Sequence, residues 1–80
     1  MSVTVLLFAS YADALGTSSL RLELDDGATV TDLVGQVRER AGAQALPPKP
    51  LVAVNERYAR ADQLLKAGDT VAIIPPVAGG

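Results

Sequence analysis

The chain ends in Thr70-Val71-Ala72-Ile73-Ile74-Pro75-Pro76-Val77-Ala78-Gly79-Gly80. Residues 70–74 are apolar or β-branched and predict a strand. Proline lacks an N–H and fixes φ, so the two prolines end strand pairing and hold the following backbone extended. Gly79 and Gly80 have no Cβ and would pass through a narrow channel. We therefore predict an extended C-terminal tail over residues 75–80.

Alternation along this last strand divides its side chains between two faces of a sheet. Val71 and Ile73 share one face, and Thr70 lies on the other with Ala72 and Ile74. Because threonine marks the second face as nearer to solvent, Ile74 is predicted to be an exposed apolar residue just before the tail. An apolar side chain at that place favours a docking patch, formed by Ile74 with Val77.

Working back from the tail, the sequence predicts a small sheet. Strands are expected at residues 3–8, 20–24 and 51–54, with a brief edge strand within residues 56–60. One turn of helix is expected at residues 11–15, ended by Gly16, and another at residues 62–65.

One longer helix is predicted from about Val30 to Ala41. Its apolar residues fall on one helical face and are Val30, Leu33, Val34, Val37 and Ala41. Thr29 and Asp32 have the spacing of a capping box, and Gly42 is expected at the C′ position. Gly35 inside the helix costs about 1 kcal/mol relative to alanine. It either allows close approach to the sheet or has no structural role.

These elements predict an α+β fold with one main helix packed across one face of a small mixed sheet. Their order is that of the β-grasp, in which the first and last strands are central and parallel. The 80 residues suffice for one core, so a single domain over residues 1–80 is expected.

Composition argues against several classes of function. The chain has no cysteine and no histidine, and its net charge is −2 with basic residues that form no stripe. Nucleic acid is therefore not an expected partner. No run approaches the roughly 20 apolar residues of a membrane span, and no signal peptide is recognisable, so a soluble cytoplasmic protein is expected.

Side-chain chemistry is scarce in this sequence. Asp25 and Asp26 precede Gly27 and favour a turn over a metal or acid–base pair. Phosphate-binding and dinucleotide-binding glycine motifs are missing, so no metal, no permanently bound cofactor and no catalysis by this chain alone are expected.

The remaining reactive group is the α-carboxylate of Gly80. With an ordinary pKa of about 3.5 it is ionised and a poor acyl electrophile, so an ATP-consuming partner would have to activate it as an acyl-adenylate. Sulfur or an amine could then displace AMP.

Several stretches together are typical of one protein family. They are Leu7-Phe8-Ala9, Ala14-Leu15-Gly16, Gly27-Ala28-Thr29-Val30, Val54-Asn55-Glu56 and residues 65–80. In these stretches the sequence resembles the small, sulfur-carrying subunits of molybdopterin synthase. The most specific part is the ending, with Gly68-Asp69, Pro75-Pro76-Val77 and Gly79-Gly80. Aromatic residues common before the two prolines are replaced here by Ile73 and Ile74.

The resemblance implies a ubiquitin-like β-grasp that acts as a sulfur carrier in molybdenum cofactor biosynthesis. An activating enzyme would use ATP to adenylate Gly80, which would become a thiocarboxylate, a C-terminal 1-thioglycine. The sulfur would pass to cyclic pyranopterin monophosphate within a heterotetramer of two small and two large subunits, the large subunit supplying the catalytic side chains. Gly79 would let the tail enter, and the docking residues implied are Phe8, Ile74, Pro75, Pro76 and Val77.

Three alternatives remain open from the sequence. The chain could carry sulfur for thiamine or cysteine synthesis, although those carriers usually lack Pro-Pro-Val before the two glycines. It could be a ubiquitin-like modifier joined to lysines through Gly80. It could also be a plain interaction domain with a dispensable tail.

Overall fold

The structure, a computed structural model, describes residues 1–41 and 46–76. Within them the elements are β1 (Ser2–Leu7), α1 (Ala9–Leu15), β2 (Ser19–Glu23), α2 (Val30–Ala41), β3 (Leu51–Val54), β4 (Arg57–Tyr58) and β5 (Thr70–Ile74). The predictions for Gly42, Val77, Gly79 and Gly80 fall outside the described residues. Neither of the two helices is long and apolar enough to cross a membrane.

The strands form one mixed sheet in the order β2-β1-β5-β3-β4. β1 and β5 are parallel neighbours at its centre, and the other pairs are antiparallel. The predicted α+β class and the β-grasp order are thereby confirmed. The chain therefore approaches its C-terminus from an interior strand.

The core lies between one face of the sheet and α2. The helix buries Val30, Leu33, Val34 and Val37, the residues that the 3.6-residue spacing selects. The sheet contributes the inward positions of its strands, namely Val3, Val5, Leu7, Leu22, Val52, Val54, Val71 and Ile73. Full burial of each such aliphatic side chain contributes about 1.5–3 kcal/mol, so this layer is the main stabilising contact of the fold.

Reciprocal hydrogen bonds begin α2, as the capping box predicts. The Thr29 N–H donates to Oδ2 of Asp32 at 2.8 Å, and the Asp32 N–H donates to Oγ1 of Thr29 at 3.3 Å. Two further N–H groups of the first turn donate to a distant segment, Val30 to the carbonyl of Gln63 and Thr31 to that of Ala61, each at 3.0 Å. The N-terminus of α2 is therefore satisfied by side chains and by another part of the chain.

The helical turn predicted at residues 62–65 is wrong. Leu64 instead forms an antiparallel bridge with Thr29, and the Leu65 N–H donates to the carbonyl of Ala28 at 2.9 Å. Backbone groups that a helical turn would have used locally are thus bonded to the start of α2. The tertiary pairing overrides a local sequence preference.

Gly16 ends α1, as predicted, in the left-handed conformation with φ of 73°. Its N–H donates to the carbonyl of Ala12 at 2.8 Å. The helix begins at Ala9, two residues before the predicted start, and Phe8 is its N-cap residue rather than the end of β1. Phe8 therefore lies at a strand-to-helix corner.

Candidate docking site at the base of the tail

A shallow apolar hollow lies on the face of the sheet that is turned away from α2. Its volume is about 560 Å³, and it is lined by Leu6, Phe8, Ala53, Glu56, Tyr58, Thr70, Ala72 and Ile74. We call this surface the open face. Phe8 and Tyr58 are 47% and 75% exposed, so large apolar surface remains accessible to a partner.

Strand register builds the open face. Ala72 is opposite Leu6 on β1 and Ala53 on β3, and Ala53 is opposite Tyr58 on β4. One row of side chains therefore crosses four strands on the same face. The two alanines at its middle are small, which produces the hollow between the larger side chains at either side.

Polarity changes along β5 on this face. At its start, Thr70 is opposite Thr4, which in turn is opposite Arg21 on β2. At its end, Ile74 is opposite Leu51, which is 49% exposed. The open face is therefore polar where β5 begins and apolar where the chain leaves the sheet towards the tail.

Ile74 is half-buried, not exposed as the sequence predicted. It lies on the expected face, but β5 is an interior strand and Leu51 flanks it directly. Strand pairing stops at Ile74, as predicted from the prolines, and Pro75 is half-buried while Pro76 is exposed. The structure thus brings Phe8 and Ile74 together beside the base of the tail.

A two-residue turn joins β3 to β4 at one edge of the open face. Asn55 and Glu56 both have positive φ, of 50° and 71°, the pattern of a type I′ hairpin. The Asn55 side chain donates from Nδ2 to Oδ1 of Asp69 and accepts from the N–H of Thr70, both at 2.9 Å. Asp69 also accepts from the N–H of Lys66 at 2.8 Å. These bonds fix the hairpin to the start of β5.

Four residues of the open face were missed from the sequence: Leu6, Ala53, Glu56 and Tyr58. Leu6 lies within the strand predicted at residues 3–8, and period-two alternation places it on the other face from Val5 and Leu7. Ala72 was placed on the same face as Ile74, but neither it nor Ala53 gave a docking signal, because their role depends on which strands are neighbours. Only the strand register shows that the two alanines meet.

The acidic pair Asp25 and Asp26 lies away from this site, in an exposed turn that borders α2. The N–H of Ala28 donates to the carbonyl of Asp25 at 3.1 Å, as expected for turn chemistry. Over residues 1–41 and 46–76, no group of three or more acidic, histidine or cysteine side chains could hold a metal ion. What the open face offers is apolar contact area and one carboxylate, that of Glu56.

The sequence pattern of the ThiS family matches residues 5–80. The chain belongs to the ThiS family. Across the full length of both chains, this ThiS-family protein is 40% identical to the molybdopterin synthase sulfur carrier subunit of Chlamydomonas reinhardtii. The family resemblance inferred from the sequence is thereby confirmed.

Two solved structures extend this comparison. A putative molybdopterin converting factor, subunit 1, from Pyrococcus furiosus is 30% identical and superposes with a TM-score of 0.83, covering 96% of this chain and 99% of its own. Small archaeal modifier protein 1 of Haloferax volcanii is 27% identical, with a TM-score of 0.82 and coverage of 95% and 98%. A protein named as a molybdopterin converting factor subunit and one named as a protein modifier therefore share this fold.

Proposed function

We propose that this ThiS-family chain carries sulfur for molybdenum cofactor biosynthesis as the non-catalytic small subunit of molybdopterin synthase. The observation that carries the proposal is the place where β5 ends. This interior strand ends at Ile74, at the apolar end of the open face, and Pro75 and Pro76 follow it. The full-length similarity to a molybdopterin synthase sulfur carrier subunit supports the same conclusion.

The reactive group in this proposal is the α-carboxylate of Gly80. One carboxylate oxygen attacks the α-phosphate of ATP in an activating enzyme, and pyrophosphate leaves. A sulfur nucleophile then displaces AMP, and the terminal C–O bond to the adenylate is replaced by a C–S bond. Transfer of the sulfur to cyclic pyranopterin monophosphate, followed by hydrolysis, restores the carboxylate. ATP is consumed by the partner, so the carrier needs no resident cofactor.

In the proposed complex the open face packs against the synthase large subunit. Phe8 and Ile74 would supply apolar contact, and Pro75, Pro76 and Val77 would direct the tail into the partner. Gly79, without a Cβ, would permit a narrow passage to the reaction site. Two small and two large subunits would form the assembly, in which the large subunits provide the catalytic side chains.

Intact mass spectrometry tests the chemistry. The chain is incubated with ATP, an activating enzyme and a sulfur source, and the expected mass gain corresponds to replacement of one oxygen by sulfur. Deletion of Gly80 should abolish this gain. Adding the large subunit and the pterin precursor should then yield molybdopterin. A thiocarboxylate that yields none would instead indicate a carrier for another pathway.

A second candidate function is protein modification, because small archaeal modifier protein 1 has the same fold. The activation step would be the same, but a lysine amine would displace AMP and form an isopeptide bond. Peptide mapping after expression in the native host separates the two. Lysine conjugates of Gly80 without any thiocarboxylate would contradict the sulfur-carrier proposal.

A further inference from the structure

Glu56 occupies a backbone position that favours glycine. It is the second residue of the two-residue turn between β3 and β4, with φ of 71°. Turns of this type prefer Asn-Gly, since a Cβ is disfavoured where φ is positive. The first position follows this preference with Asn55, whereas the second does not. A charged side chain therefore occupies a position where glycine would be less strained.

No bond to another described residue accounts for the Glu56 side chain. Asn55 is held by Asp69 and by the N–H of Thr70. The Glu56 carboxylate, by contrast, makes no hydrogen bond or ion pair with another residue in the described part of the chain. Backbone strain without an internal contact points to a role outside the folded chain.

The position of Glu56 indicates what that role is. Glu56 lines the open face, and the other described residues that line it carry no charge. The neighbouring Arg57 pairs with Val54 of β3, and Val54 is on the core-facing side of the sheet. Arg57 and Lys66 line a different cavity. Arg57 therefore does not line the open face, and Glu56 is the charged residue among the described residues that do.

We propose that Glu56 is a specificity residue of the open face, which pairs with a lysine or arginine of the synthase large subunit. This inference rests on the proposed function, which supplies the partner. A single charge at the edge of an apolar interface steers association and disfavours partners with the wrong charge. Rim charges contribute little to the total affinity, so the effect falls mainly on association rate and its salt dependence.

The test compares Glu56→Gln with wild type in binding kinetics to the purified large subunit. Glutamine keeps the size of the side chain and the strained turn while it removes the charge. We expect about two- to five-fold weaker binding at low salt, with the difference lost near 1 M salt, where the Debye length is about 3 Å. Glu39→Gln is the matched control, because Glu39 is exposed on α2, on the other side of the sheet, and its change alters the net charge equally.

Glu56→Gly separates charge from strain. It should bind as weakly as Glu56→Gln while resisting denaturant better than wild type. Wild-type binding by Glu56→Gln at every salt concentration would overturn the inference, as would an equal loss in Glu39→Gln. If the wild-type chain itself does not bind the large subunit, the proposed partner and this inference both fail, whereas the thiocarboxylate assay still reports on Gly80 separately.

Discussion

Gly16 and Gly35 are both exposed, and an added Cβ would meet no atom within 4 Å at either position. Their backbones differ. Gly16 has φ of 73° at the C-terminal end of α1, whereas Gly35 is within α2. The open space at Gly35 also excludes close approach to the sheet as its reason, which the sequence left undecided. Conformation alone should therefore set the effect of a substitution.

We expect alanine to have opposite effects at these two positions. Gly35→Ala should raise the free energy of unfolding by about 1 kcal/mol, because alanine loses less backbone entropy in a helix. Gly16→Ala should lower it by about 1 kcal/mol, because an L residue is disfavoured at positive φ. Urea denaturation of both variants measures these changes. Shifts of the same sign would contradict this explanation.

Local signals at single residues were predictable where both partners are close in sequence. The Thr29–Asp32 capping box and the stop at Gly16 are of this kind. The left-handed Glu56 was not predicted, because Asn55-Glu56 lacks the glycine that normally identifies a type I′ turn. Its conformation follows from the pairing of β3 with β4. The sequence predicted β4 only as a brief edge strand.

At the scale of elements, Asn55 adds side-chain hydrogen bonds to the strand pairing that already joins β3 to β5. Its side chain bonds Asp69 and the N–H of Thr70, at the start of the strand that leads to the tail. Its own N–H donates to the carbonyl of Thr70 at 2.8 Å. The hairpin edge of the open face is therefore fixed relative to the central strand.

Asn55→Ala should lower the free energy of unfolding by about 2 kcal/mol, through lost hydrogen bonds and a disfavoured positive φ. Asn55→Gly is the control that loses the same side-chain bonds but tolerates the backbone conformation, so its cost should be about half as large. Both are measured by urea denaturation. Equal losses in the two variants would show that the left-handed conformation contributes nothing.

Strands and the main helix were predictable because periodicity is a local property. The pattern of Val30–Ala41 gave the helix with its observed bounds, and residues 70–74 gave β5. The turn at residues 62–65 was misread because its backbone bonds to Ala28 and Thr29, more than thirty residues earlier in the sequence. Long-range pairing of this kind leaves no trace in a local window.

At the scale of the whole molecule, the two faces of the sheet have different surroundings. One face is covered by α2 and forms the core, while residues 1–41 and 46–76 leave the open face uncovered. Phe8 and Ile74 were implied as docking residues by the family resemblance, and the structure brings them to the same face. Leu6, Ala53 and Tyr58 required knowledge of strand order, because β1 is far in sequence from β3, β4 and β5.

If the open face is the docking surface, apolar side chains should contribute to binding only when they lie on it. Phe8→Ala should weaken binding to the large subunit by about 1–2 kcal/mol, or roughly five- to thirty-fold, as expected for an aromatic anchor. Leu64→Ala is the matched control, because Leu64 is 62% exposed but lines a different cavity. Titration calorimetry measures both affinities, and urea denaturation checks that each variant remains folded.

Phe8 is about half exposed, so its replacement should change folding stability by less than about 1 kcal/mol. Equal losses of affinity in the two variants would show that exposed apolar area in general, and not the open face, drives association.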